Sequence, residues 1–104
     1  MAEPFEVPGS DPSVAVEDRL QEPRQFKVLL HNDDYTSMEF VVEVLVNVFN
    51  KSEAEAIAIM MNVHEKGMGL CGIYTAEVAE TKVHLVHQLA RKRSFPLRCS
   101  MEEV

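Results

Sequence analysis

The strongest local constraint is a strand that runs directly into a helix start. Phe26-Lys27-Val28-Leu29-Leu30 is a short apolar run of strand type, and it ends on the polar corner His31-Asn32-Asp33-Asp34-Tyr35. Thr36 follows as a helix N-cap with Glu39 three residues on, the spacing of a capping box. Asn32, Asp33 and Asp34 therefore place three hydrogen-bond acceptors in a row on a strand-to-helix corner, beside an aromatic residue. Asx residues are also ordinary turn formers, because their side chains bond their own backbone. From the corner alone, a turn and a binding site are equally good accounts.

The elements that follow alternate in period. Met38, Val41, Val42, Leu45, Val48 and Phe49 fall at helical spacing and predict a helix over 37–49. The valine-rich alternation of 42–48 would suit a strand instead, and the cap and stripe together decide for helix. Ser52 and Glu55 make a second capping box, opening a helix that is apolar over most of its girth and so expected to be the most buried. Gly67 supplies its left-handed stop. Residues 69–74 read as a strand, and Thr75 caps a third helix with Glu77 and Glu80 near its start and Arg91, Lys92 and Arg93 at its end, charges that complement the helix dipole. The stripe of that helix is Ala79, Val83, Val86 and Ala90, flanked by Val78 and Leu89, and residues 97–101 form a last, edge-like strand. The order β-α-α-β-α-β predicts a single two-layer α+β domain over 25–104, with three antiparallel strands packed against three helices.

Residues 1–24 differ in composition. They hold four of the five prolines and six acidic residues against two arginines. Such a segment buries too little apolar surface to offset its ordering entropy, which predicts a disordered, acidic, proline-rich extension. It is either a passive terminus or an arm that engages a partner.

Composition narrows the function classes. A net charge of −7 argues against nucleic acid and anionic membrane as partners. No apolar run approaches the length of a membrane span, and the start lacks the basic and apolar regions of a secretory signal. Cys71 and Cys99 lie in apolar, strand-like runs and read as reduced core residues. The expected location is the cytoplasm and the expected state a monomer.

Asp33, Asp34 and His64 are the one acid/base cluster that could meet in space. No serine or cysteine stands in a nucleophile elbow, and no glycine-rich loop could cradle a phosphate. His84 and His87 lie three apart on the third helix but lack a third ligand, so no metal and no cofactor is expected. A binding site fits better, because His64 sits beside Met60, Met61 and Val63, and a few polar groups among adaptable apolar side chains are how small-ligand sites are lined.

Two long motifs carry a family resemblance. Leu30-His31-Asn32-Asp33-Asp34-Tyr35-Thr36-Ser37-Met38-Glu39-Phe40-Val41 resembles the signature of the ClpS family, adaptors of bacterial Clp proteases. So does Val63-His64-Glu65-Lys66-Gly67-Met68-Gly69-Leu70-Cys71-Gly72-Ile73-Tyr74-Thr75-Ala76-Glu77-Val78-Ala79-Glu80-Thr81-Lys82, and Pro96-Leu97 close to a cysteine is similar to the family's end. The resemblance covers about residues 25–103. One departure is Ser37, where the family often has proline, which removes some preorganisation from the helix start.

The resemblance implies a non-catalytic adaptor that recognises N-degrons, the N-termini of substrate proteins beginning with Leu, Phe, Tyr or Trp. It would deliver them to the ClpA or ClpC unfoldase for degradation by ClpP. By similarity, Asn32 and His64 contact the substrate's α-ammonium, Asp33 supplies negative charge, and Asp34 holds the following backbone. A pocket of Leu30, Thr36, Met38, Val41, Met60, Val63 and Leu97 takes the first side chain, with Met38 crowding β-branched residues. The unfoldase contact would fall on Glu77, Glu80, Thr81 and Lys82, which also serve as ordinary residues of a helix's first turns. Histidine accepts a hydrogen bond only when neutral, so binding is expected to weaken as pH falls through about 6.5. Two other classes compete: a small hydrolase or metal enzyme on Asp33, Asp34 and His64, and an oligomerisation module sharing this architecture.

Overall fold

The computed structural model describes residues 22–104, so the expected extension over 1–24 lies, up to residue 21, outside the described residues. The elements are β1 (Gln25–His31), α1 (Met38–Asn47), α2 (Glu53–Lys66), β2 (Met68–Thr75), α3 (Ala76–Lys92) and β3 (Arg98–Glu103). The three strands form an antiparallel sheet in the order β2-β1-β3, so β1 is central and both later strands are edges. This is the expected two-layer α+β domain. Val28 and Leu30 of β1, Cys71 of β2 and Cys99 of β3 are buried beneath the helices. Burial pushes the Cys99 thiol up to about 12 and that of Cys71 higher still, so both behave as core groups.

The first helix starts one residue later than the sequence predicts. Its N-cap is Ser37, whose hydroxyl accepts from the Phe40 backbone N–H at 3.1 Å. Thr36 is unavailable as a cap because its hydroxyl donates to Asp33 Oδ2 and its backbone N–H to Asp33 Oδ1. No capping box with Glu39 forms. The departure at Ser37 thus replaces preorganisation with a side-chain cap. The buried stripe is also rotated from the expected one. Phe40 and Val44 are buried with Val41 and Leu45, while Met38 is 44% exposed. Phe40 stacks on Phe95 with ring centroids 5.0 Å apart, and Arg93, paired to Glu43 at 2.8 Å, lies over its face.

The second helix is not the most buried. Only Ala56, Met60 and Val63 of α2 are buried, and Ile57 and Met61 are exposed. It packs mainly on α1 and on edge strand β2, which leaves much of its apolar girth facing solvent. Its capping box between Ser52 and Glu55 and its stop at Gly67, with φ of 91°, are as predicted. The third helix buries Ala79, Val86 and Ala90, leaves Val83 half-buried and Val78 exposed, and takes no side-chain cap from Thr75.

Two histidines clasp β3 from either side. His31 Nε2 hydrogen-bonds the Ser100 hydroxyl at 2.6 Å, and the Cys99 backbone N–H donates to His87 Nε2 at 3.0 Å. Accepting at Nε2 requires neutral His87, and protonation sets donor against donor. Burial is the main cause lowering both pKa values. The Arg98 charge adds to it at His31 against an opposing Glu102, and Arg91, His84 and Arg98 add to it at His87. The folded state therefore takes up protons less readily than the unfolded chain. Stability is full above the ordinary histidine value of about 6.5 and is lost as pH falls from there through the lowered folded values. Melting temperature should drop as pH falls below about 6.5. His87→Gln, which still accepts through its amide oxygen, should flatten that drop and cost at most about 1 kcal/mol at neutral pH.

Candidate functional site

The polar corner meets the end of α2 because of a single backbone contact. The Asn32 N–H donates to the Gly67 carbonyl at 2.9 Å, and Gly67 in turn closes α2 by donating to Val63 at 3.0 Å. Gly67 turns the chain so that β2 returns antiparallel to β1, pairing Met68 with His31. The corner residues are thereby held beside His64 in the last turn of α2.

Asp33 organises the corner. Its Oδ1 accepts from the Tyr35 and Thr36 backbone N–H groups at 2.8 and 2.7 Å, and its Oδ2 from the Thr36 hydroxyl at 2.8 Å. Burial alone would raise its pKa, but the bonds from Thr36 and Tyr35 outweigh it and hold the carboxyl below its ordinary value. The group is an anion at any physiological pH. Asp33 thus builds the turn and keeps its negative charge at the corner.

A cleft of about 260 Å³ opens here, walled by Asn32, Asp33, Asp34, Thr36, Met38, Val41, Met60, Val63 and His64. Its lining combines three corner acceptors and an imidazole with two methionines and two valines. The four residues expected at the α-amine and following backbone, and five of the seven expected pocket residues, surround this one space. Leu30 and Leu97 do not line it. They are 0% and 4% exposed and lie in the core. A charged, hydrogen-bonding rim over an apolar wall can hold a ligand that is cationic at one atom and hydrophobic a few atoms away.

The family model described as "ATP-dependent Clp protease adaptor protein ClpS" matches residues 21–100. The chain belongs to the ClpS family of Clp protease adaptors. The ATP-dependent Clp protease adapter protein ClpS of Oleidesulfovibrio alaskensis is 66% identical over 94 residues, covering 90% of each chain. Its namesake in Nitratidesulfovibrio vulgaris is 62% identical over 96 residues, 92% of this chain and 96% of that one. Among solved structures, Agrobacterium tumefaciens ClpS2 bound to L-phenylalaninamide matches with a TM-score of 0.78 and 37% identity, over 80% of this chain and 100% of that one.

The four residues expected at the unfoldase contact lie together on the first turns of α3. Glu77, Glu80 and Thr81 are exposed, and the Thr81 hydroxyl donates to the Glu77 carbonyl. Lys82 differs. Its Nζ donates to the Val48 carbonyl at 2.7 Å and lies over the rings of Phe49 and Tyr74, at 5.8 and 5.3 Å from their centroids. It closes the C-terminal end of α1 in this ClpS-family chain. Lys82→Met, which keeps the stem and deletes the charge-assisted bond, should therefore lower stability by about 1–2 kcal/mol in denaturant melts. A partner-binding defect of any Lys82 variant is informative only beside that measurement.

The two histidines of α3 are placed apart in role. His84 is exposed, and the Nε2 of His87 is committed to Cys99. Among the described residues no three His, Cys, Asp or Glu side chains are placed to hold a metal ion. Among the same residues no helix is long and apolar enough to cross a membrane.

Proposed function

We propose that this adaptor binds the N-terminus of substrate proteins whose first residue is Leu, Phe, Tyr or Trp, and delivers them to the ClpA or ClpC unfoldase for degradation by ClpP. The observation that carries this is the cleft itself, whose anionic, acceptor-rich rim adjoins an apolar wall. A free α-ammonium has three N–H donors and a positive charge. Asn32 and His64 offer it acceptors, Asp33 the counter-charge, and Asp34 holds the peptide backbone that follows. Thr36, Met38, Val41, Met60 and Val63 receive the side chain, and Leu30 and Leu97 back that wall from the core. The ligand of the Agrobacterium relative has the same chemistry, with an α-amine, a benzyl side chain and an amide in place of the next peptide bond. Residues 25–104 form the recognition domain, and residues 1–24 are the segment the unfoldase engages at hand-over.

Burying a leucine or phenylalanine side chain contributes roughly 1.5–3 kcal/mol, and with the ammonium bonds a micromolar complex of about −8 kcal/mol follows after association costs. In fluorescence polarisation, a Leu- or Phe-led peptide should bind at least about tenfold more tightly than the same peptide led by Ser. A Val-led peptide should be excluded by Met38 at the mouth of the cleft, and Met38→Ala should restore its binding roughly tenfold. Equal binding of Leu-, Ser- and Val-led peptides would refute side-chain recognition. Delivery by full-length chain that is unchanged on deleting 1–24 would refute the role given to the extension.

A further inference from the structure

Of the six methionines, Met1 lies outside the described residues, and the fold sorts the other five by how a dissolved oxidant meets each sulfur. Met60 is 9% exposed, and Met101 is half-buried against the core. Met61 and Met68 are open to solvent, but neither lines the recognition cleft. Met38 is the one of the five that is both exposed, at 44%, and part of the cleft wall. Its place in the chain explains this. A helical side chain leans toward the helix N-terminus and covers the turn before it. Met38 is the first residue of α1, so it has no such turn, and what precedes it is the Ser37 cap and the polar corner.

We propose that Met38 is a modification site, oxidised to its sulfoxide by hydrogen peroxide, and that this one change closes the cleft to N-terminal substrates until a thiol-dependent reductase reverses it. The proposal rests on the recognition function above, because peptide affinity is what the modification alters. The sulfur lone pair attacks one peroxide oxygen and the O–O bond breaks. The departing hydroxide takes the proton of the transferred oxygen and leaves as water, so sulfur loses the two electrons that peroxide gains. Reduction returns the oxygen as water while two thiols become a disulfide. The sulfoxide is polar where the thioether was apolar, and it stands on the wall that receives the first side chain of the peptide. The Thr36 hydroxyl, two residues before it, is already committed to Asp33 Oδ2. A leucine or phenylalanine side chain seated there strips water from the S=O group and offers no hydrogen bond in return. Met60, the other methionine of the wall, is shielded by burial, so the response belongs to one sulfur.

The test treats the full chain with dilute hydrogen peroxide and follows each methionine by peptide mass spectrometry. After the oxidant is removed, Leu- and Phe-led peptides are titrated by fluorescence polarisation. Met38, Met61 and Met68 should gain oxygen well before Met60, and chain oxidised at Met38 should bind at least about tenfold more weakly. Methionine sulfoxide reductases for both epimers, with dithiothreitol, should restore mass and affinity together. Met61→Leu/Met68→Leu should start at the parent affinity and lose it on treatment as the parent does. Met38→Leu should bind equally before and after the same treatment. A saturating Leu-led peptide present with the peroxide should slow oxidation of Met38 and leave that of Met61 and Met68 unchanged. Parent affinity in chain fully oxidised at Met38, or no oxygen at Met38 when Met61 and Met68 are converted, overturns the site while leaving first-residue recognition intact. So does a loss of affinity on treatment in Met38→Leu equal to that of the parent. If the untreated chain binds Leu- and Ser-led peptides alike, the proposed function falls, and the site falls with it.

Discussion

A leucine-led peptide is expected to lose at least about a hundredfold in affinity when its α-amine is acetylated, because at least two charge-assisted hydrogen bonds at roughly 1.5–3 kcal/mol each are deleted together. Acetylation also leaves the Asp33 carboxylate facing an uncharged group in a partly desolvated cleft. The protein-side counterpart is Asp33→Asn. Both Asp33 oxygens already serve the corner, accepting from the Tyr35 and Thr36 N–H groups and the Thr36 hydroxyl. An asparagine can reproduce that turn, its oxygen accepting the two backbone bonds and its amide donating to the Thr36 hydroxyl. The substitution therefore removes the charge and keeps the geometry. It should cost little stability at neutral pH while reducing free-amine affinity at least about tenfold. Asp33→Ala should lose both, with an added stability cost of about 1–3 kcal/mol for the unmade turn bonds.

The same residue gives a control in acid. The bonds that depress the Asp33 pKa contribute stability above the ordinary aspartate value of about 3.9, and that contribution is lost as pH falls through the lower folded value. Asp33→Asn has no such loss, so its acid melt should be flatter below about pH 4. Free-amine binding by Asp33→Asn equal to that of the parent chain would mean that Asp33 only builds the turn. Isothermal titration of both chains with the amine and acetyl peptides separates the cases.

The corner was legible because its residue types are unusual in a row, whereas the helix start beside it was not. A sequence pattern cannot say which partner a side chain will choose, and Asp33 took the Thr36 hydroxyl that would have capped α1, leaving Ser37 to do so. Depth was illegible for a similar reason. Leu30 neighbours the site in the chain, but strand alternation turns it into the core, and Leu97, just ahead of β3, is buried there too. Ile57 and Met61 looked like core by hydrophobicity, and only the packing of α2 against two neighbours shows why they face solvent. Lys82 had an exposed role in the sequence because its acceptor, the Val48 carbonyl, lies 34 residues away in the chain.

Gly69 is where β2 comes closest beneath α2 residues Ile59 and Val63, with no room for a side chain. A Cβ there would stand 2.8 Å from Val63 Cγ2 and 3.2 Å from the Ile59 backbone oxygen. Neither neighbour can give way alone. Val63 is buried and stiff at its branched Cβ, and the Ile59 carbonyl belongs to the hydrogen-bond ladder of α2. Gly69→Ala must therefore lift α2 off β2, and should cost about 2–3 kcal/mol by overpacking. Because α2 carries Met60, Val63 and His64 and is tied to the corner through Asn32 and Gly67, leucine-led affinity should weaken although no cleft residue has changed. Gly72→Ala is the comparison, since the nearest atoms to its Cβ would be the hydroxyl and ring of Tyr74, the far end of a half-buried side chain on the same edge strand that can swing aside. Its melting midpoint should fall less and its peptide affinity should stay at the parent value. Equal stability and equal affinity for the two variants would mean that contact between α2 and β2 does not fix the cleft, and that the corner alone positions the binding residues.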